Sequence, residues 1–350
     1  MKKRIRTLLI DDSPIVINIL KRILAQSQEI EVVGTAANGK EGIEKLKELD
    51  PDVICTDLMM PVMNGLELTK EIMQNYPKPI LVVSSALEGK NQSNVFQLLE
   101  AGALEVFPKP QGGSEKDYEG IRNKLESKIK MIHSIPVFKS KMRRESENLN
   151  PNSITVTRFQ KTNTIRYLVI GASTGGPNAL QKILERLPET LSIPVICVQH
   201  INDGFIESLV AWLNQSTKLK IKIMEDEEVP ISGRVYFPKD KRHLVIDASG
   251  KLKESREVSI NGHTPSINIT FKSFATHRGS STLGVILTGM GDDGASGLLS
   301  IKHMGGKTIG ESADTCVVYG MPRVAHEIGA IDFQLPLDKI PEKIMSLVNL

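Results

Sequence analysis

Cysteine is scarce in this sequence: Cys55, Cys197 and Cys316 stand far apart, each inside an apolar run, and no C-x-x-C pair is present. That excludes the usual zinc or redox motif and predicts three buried, reduced thiols. An excess of one charge is lacking too, since 44 Lys and Arg face 41 Asp and Glu for a net charge of +3. So even a balance leaves no basic footprint of the kind nucleic-acid binders carry, and no nucleic-acid partner is expected. Long hydrophobic runs are also missing. The basic start "MKKRIRTLLIDDSP" meets two aspartates after a run too short for a signal-peptide core, and nothing approaches a membrane span. A cytoplasmic protein without direct membrane insertion is the expectation. The chain shows no internal period that would mark a solenoid.

At 350 residues the chain exceeds one ordinary core, so two domains are expected. From Arg6, short apolar runs alternate with amphipathic stretches: "TLLI", "EVVGTA", "VICTDL", "ILVVSSA" and "LEVFPKP" read as strands, and "GKEGIEKLKEL" between them as a helix. Five βα units imply an N-terminal doubly wound, five-stranded parallel domain over residues 1–133. Residues 134–163 lose periodicity, gain Ser, Asn and Pro, and carry six basic against two acidic residues, which reads as a solvated linker. A second alternating series fills residues 164–350: "YLVIGA", "IPVICVQH", "KIKIMED", "GRVYFPKD", "HLVID", "TLGVILTGMG", "GKTIGES" and "CVVYGMP". It predicts a doubly wound, mostly parallel α/β domain, with "GRVYFPKD" and "HLVID" close enough in sequence to form an antiparallel hairpin.

Reacting groups in open parallel sheets lie beyond the carboxyl ends of strands. In the first domain those positions hold Asp11 and Asp12, Asp57, Ser84 and Lys109. Three carboxylates in one crevice repel one another unless a hard cation such as Mg²⁺ is held there. Asp57 can then form an acyl phosphate, Lys109 can pair with phosphoryl oxygens, and Ser84 can donate to one.

In the second domain "GASTG" satisfies G-x-S-x-G around Ser173, although the short pattern equally fits a glycine turn with Ser173 as a helix N-cap. Of seven histidines only His200 follows a strongly strand-like run; His243, His263, His277, His303 and His326 sit in polar or helical contexts that predict exposure. Asp292 and Asp293 end the strand "TLGVILTGMG" at the same edge, where either can orient the His200 imidazole. The chain order Ser, His, Asp differs from that of α/β-hydrolases. Gly289, Gly291 and Gly294 also match G-x-G-x-x-G, but a pyrophosphate there would face Asp292 and Asp293.

"LLIDDSP", "DVICTDLMMPVMNG", "VVSSA" and "FPKP" resemble the signature segments of response-regulator receiver domains. "GASTGGP", "VQHI", "LTGMGDDGA" and "CVVYGMPR" resemble those of the chemotaxis protein-glutamate methylesterases. The first resemblance implies Mg²⁺ held by Asp11, Asp12, Asp57 and the Met59 carbonyl, phosphorylation of Asp57, a response through Ser84 and Lys109, and a cis peptide before Pro110. The second implies Ser173 as nucleophile, His200 as base, Asp293 as its partner, and oxyanion donors at the Thr174 and Met290 amides, with no cofactor in the catalytic domain. Together they imply phosphorylation-controlled hydrolysis of glutamate methyl esters, and deamidation of glutamines, on methyl-accepting chemoreceptors, with a chemotaxis histidine kinase as phosphodonor.

Overall fold

Apolar runs without polar alternation become strands covered on both faces, as parallel sheets require. The computed structural model describes residues 3–84, 94–110, 115–137, 164–258 and 262–348. In the first domain β1 (Ile5–Ile10), β2 (Ile30–Ala36), β3 (Val53–Thr56), β4 (Ile80–Ser84) and β5 (Glu105–Pro108) form one parallel sheet in the order β2-β1-β3-β4-β5. Helices α1 (Pro14–Ala25), α2 (Gly39–Leu49), α3 (Gly65–Asn75), α4 (Asn94–Glu100) and α5 (Glu115–His133) alternate with the strands. Their starts are chemically marked. Ser13 and Asn38 accept backbone N–H groups of the first turns of α1 and α2, and Asn64 with Glu67 forms a reciprocal capping box on α3.

The second domain contributes β6 (Tyr167–Ala172), β7 (Val195–Gln199), β8 (Lys220–Ile223), β9 (Arg234–Phe237), β10 (His243–Ile246), β11 (Leu252–Ser255), β12 (Thr282–Ile286), β13 (Lys307–Glu311) and β14 (Phe333–Leu335). Its helices are α6 (Gly176–Leu184), α7 (Ile206–Ser216), α8 (Ile267–Arg278), α9 (Ala295–His303), α10 (Met321–Glu327) and α11 (Ile340–Val348). Seven strands form a parallel sheet ordered β14-β13-β12-β6-β7-β9-β8. Strand order turns in opposite directions on the two sides of β6, so a crevice opens at the carboxyl ends of β12, β6 and β7.

Several expectations need correction. The antiparallel hairpin exists, but it joins β10 to β11; β9 lies parallel between β7 and β8. "CVVY" is not a strand: the chain crosses the sheet edge there, and Val317 and Val318 pack against the apolar core of the first domain, which explains their hydrophobicity. Cys55 and Cys197 are buried, and burial raises both thiol pKa values; Cys316 is only half-buried. The cis peptide among the described residues precedes Pro265, not Pro110. The two isomers of an X–Pro bond differ by only about 1 kcal/mol, so the residue type alone does not select between them. Most of the expected linker, residues 138–163, lies outside the described residues. Among the described residues no helix is long and apolar enough to cross a membrane.

The domains are in contact. Phe96 of α4 stacks on Trp212 of α7 with ring centroids 5.3 Å apart. Asn178 Nδ2 donates to the Leu99 carbonyl at 2.7 Å, and Asn202 Nδ2 to the Val106 carbonyl at 2.9 Å. The α4-β5-α5 face of the first domain thereby rests on the carboxyl edge of the larger sheet.

Candidate active site and phosphoacceptor crevice

Ser173 follows the last residue of β6, His200 that of β7, and Thr288 to Asp293 form the turn between β12 and α9. Because these three strands are sheet neighbours, the residues arrive side by side. Ser173 is not the N-cap of α6: Gly175, at φ +78°, holds that place, which leaves the serine side chain free of a capping role. Gly289 lets the turn approach closely, since a Cβ there would lie 2.6 Å from Ser173 Cβ. The glycine pattern therefore serves proximity to the serine.

His200 Nε2 lies 2.8 Å from Asp293 Oδ2. Asp293 is 2% exposed, yet all of its acceptor capacity is used: the Ile267 amide donates to Oδ2, and the Asn268 amide and Ser266 hydroxyl donate to Oδ1. The N-terminus of α8 thus aims its unpaired N–H groups and its positive dipole end at this carboxylate. Burial alone would raise the Asp293 pKa; the His200 hydrogen bond and, when the ring is protonated, its charge, with the Asn268 and Ile267 amides, overcome it and hold the group at about 2. An ionised Asp293 takes the proton on Nε2 and leaves the lone pair on Nδ1, which is buried and without a hydrogen-bond partner. That nitrogen is available as a base. No hydrogen bond joins the Ser173 hydroxyl to the His200 ring among the described residues, an arrangement common before substrate tightens a site.

Sequence reasoning missed several neighbours. His263, expected to be merely exposed, stacks on His200 with centroids 4.2 Å apart and planes 9° apart. Loss of water around its ring, then the neighbouring His200, lower its pKa. His243, also expected at the surface, is buried: its Nδ1 accepts the Ser266 N–H at 2.9 Å and its Nε2 donates to the Glu257 carbonyl at 2.7 Å. Burial lowers its pKa, consistent with the neutral ring these bonds require. Beneath the β12 turn, buried Glu311 accepts the Thr288 N–H at 2.9 Å, and the Thr288 hydroxyl donates to the Thr174 carbonyl at 2.9 Å. None of these partners is close in sequence to the residue it supports, so no local pattern marks them.

Of the two expected oxyanion donors, Thr174 is buried and Met290 is half exposed. The Thr174 hydroxyl donates across the domain contact to Glu105 Oε2 at 2.8 Å, and Lys128 Nζ lies 2.7 Å from that same oxygen. The first domain therefore touches the residue next to Ser173.

In the first domain Asp11 and Asp57 are buried and Asp12 is exposed, and the three offer oxygens within 4.8 Å of one another. Lys109 Nζ bridges Asp11 Oδ2 and Asp57 Oδ2, each at 2.8 Å. Desolvation raises the Asp57 pKa against the pull of Lys109. For Lys109, desolvation pulls downward, but its two carboxylate partners win and raise it. Three carboxylates against one ammonium leave excess negative charge among oxygen donors only, which suits a hard divalent cation. Ser84 is buried at the end of β4, where its carbonyl accepts the Lys109 N–H at 3.0 Å. Met59 lies on the exposed turn after β3.

Two families match the chain: CheB methylesterase over residues 168–344 and the response regulator receiver domain over residues 7–116. A protein-glutamate methylesterase/protein-glutamine glutaminase of Nitrosospira multiformis is 35% identical over 344 residues, covering 98% of this chain and 97% of that protein. The protein of the same name from Sulfurimonas denitrificans is 38% identical over 353 residues, covering 99% of each. The crystal structure of the Thermotoga maritima CheB methylesterase catalytic domain, 40% identical, matches with a TM-score of 0.51 over 53% of this chain and 100% of that one.

Proposed function

Because the chain belongs to the CheB methylesterase family and carries a response regulator receiver domain ahead of the catalytic one, we propose that it hydrolyses glutamate methyl esters on chemoreceptors under the control of Asp57 phosphorylation. The observation that carries this reading is the His200–Asp293 pair with its free Nδ1, one strand away from Ser173. Ser173 Oγ attacks the ester carbonyl while His200 Nδ1 takes its proton, and the Thr174 and Met290 amides receive the developing oxyanion. Collapse breaks the bond to methoxide, which leaves as methanol with the proton from His200. Water, deprotonated by the same nitrogen, then attacks the acyl-serine; the acyl bond to Oγ breaks, Oγ regains the proton from His200, and glutamate is freed. A glutamine amide would follow the same course with ammonia leaving.

In the receiver, over residues 1–133, a carboxylate oxygen of Asp57 displaces the donor group from a phosphoryl supplied by a histidine kinase. Mg²⁺ held by Asp11, Asp12, Asp57 and the Met59 carbonyl would neutralise charge on that phosphoryl. Lys109 pairs with its oxygens and Ser84 donates to one. Lys109 must leave its bridge between Asp11 and Asp57 to do so, and β5, which Lys109 directly follows, also bears Glu105 against Thr174. Phosphorylation thus favours release of the receiver from the catalytic edge. Such work belongs in the cytoplasm, where receptor helices and kinase meet.

The test is methanol release from methylated receptor membranes, with and without a small phosphodonor. Ser173→Ala is expected to lower the rate on the order of 10⁴-fold or more, and the phosphodonor to raise the native rate while leaving an Asp57→Asn variant unchanged. Undiminished release by Ser173→Ala would sink the assignment.

A further inference from the structure

Gln199 closes β7 and is 2% exposed, one residue before His200. Its Nε2 donates to the Ser173 carbonyl at 2.7 Å and to the His200 carbonyl at 2.8 Å. Both partners are acceptors only, so the amide nitrogen must face them; the reverse orientation would set three oxygens against one another. Its Oε1 is left buried with no partner, pressed toward Gly176, where a Cβ would lie 2.0 Å from it. A buried amide oxygen without a donor is costly, and the fold tolerates it where both N–H groups are committed to the backbones of the two reacting residues.

The geometry points to Gln199 as a positioning residue for ester hydrolysis, whose carboxamide ties the backbone of the nucleophile to that of the base and aims the Thr174 N–H at the oxyanion. The Ser173 carbonyl and the Thr174 N–H belong to one planar peptide and point in opposite directions. With that carbonyl held by Gln199 and by the Gly176 N–H at 2.8 Å, the Thr174 N–H is directed away from Gln199. On the other side the Ser173 N–H donates to the Thr288 carbonyl at 3.0 Å, so both peptides flanking the serine are fixed. His200 is held likewise, its N–H by the Ala172 carbonyl at 2.9 Å and its carbonyl by Gln199. Gln199 transfers no proton and touches no substrate. It keeps an oxyanion donor oriented before reaction, which is where such donors gain their effect.

This inference rests on the assignment of Ser173, His200 and Thr174 above, and the experiment separates the two. Methanol release by the full chain with a small phosphodonor is measured for the native protein, Ser173→Ala, Gln199→Leu and Gln199→Glu. Gln199→Leu, of similar size but without donors, is expected to lose on the order of 10²-fold in kcat, with KM changed less than about threefold. A folded Gln199→Leu protein with kcat within about threefold of native overturns the role of Gln199, whereas activity in Ser173→Ala overturns the underlying assignment instead. Should the leucine variant fail to fold, Gln199→Glu decides. Its ionised carboxylate donates to neither carbonyl and its protonated form donates to one, so its rate relative to native is expected to rise as pH falls. A ratio independent of pH overturns the proposal.

Discussion

Asp293→Asn would preserve the size of the side chain and reverse its meaning to His200. Two of the three donors point at Oδ1, so an amide keeps its oxygen on the Ser266 and Asn268 donors and turns its NH₂ toward the ring, where it also faces the Ile267 N–H. His200 would then accept on Nε2 and carry its proton on Nδ1, the nitrogen needed as a base. A loss on the order of 10⁴-fold in kcat is expected, measurable as methanol release. The same carboxylate contributes to acid stability. Its pKa is held at about 2, below the ordinary 3.8, so its contribution is complete above the unfolded value and is lost as pH falls through the folded one. About 2 kcal/mol should disappear between roughly pH 4 and pH 2, and acid unfolding of Asp293→Asn should lack that component. That Ser173, His200 and Asp293 meet at one sheet edge was legible at this scale because each closes an apolar run. Gln199, Ser266 and His243 were not, because a polar residue in or beside a strand has meaning only through partners elsewhere in the chain.

Helix α8 shows how an element, and not only a residue, enters the site. Its hydrophobic pattern serves packing on α9 and β10, while its first turn serves Asp293. Ser266 does two things there, capping the helix through the Ile269 N–H and donating to Asp293 Oδ1. Ser266→Ala should therefore cost about 1 kcal/mol of stability, read by urea unfolding, together with a drop in kcat that a remote cap substitution would not cause. At this scale most strands of both sheets could be read from sequence, since buried parallel strands are continuous apolar runs. Pairing could not. "GRVYFPKD" and "HLVID" are adjacent in sequence, but β9 finds its partners in β7 and β8 and β10 finds its own in β11. "CVVY" has the composition of a strand because Val317 and Val318 are partly covered by another domain, a cause that a local window cannot contain.

In the whole molecule the receiver lies against the carboxyl edge of the larger sheet, and β5 runs between the phosphoacceptor crevice and that contact. Lys109 follows its carboxyl end and Glu105 begins it, about 13 Å away along an extended chain. Glu105 is the only carboxylate recorded at the Thr174 hydroxyl among the described residues. Glu105→Ala should remove a charge-assisted hydrogen bond present only in the docked arrangement. Such bonds contribute about 1.5–3 kcal/mol, so activity without phosphodonor should rise roughly 10- to 100-fold, up to the fully released rate, and stimulation by phosphodonor should shrink to match. Unchanged basal methanol release would place the restraint elsewhere on the contact.

The stacked pair of Phe96 and Trp212 has a further use. Trp212 is the one tryptophan in the sequence and is almost fully buried at the domain contact. Its emission is therefore a native optical gauge of docking, with no label required. Undocking would bring water to the indole, so addition of a small phosphodonor should shift the emission to longer wavelength and increase quenching by iodide. Glu105→Ala should show part of that shift before any phosphodonor is added, and the rate of the colour change would time the opening of the enzyme.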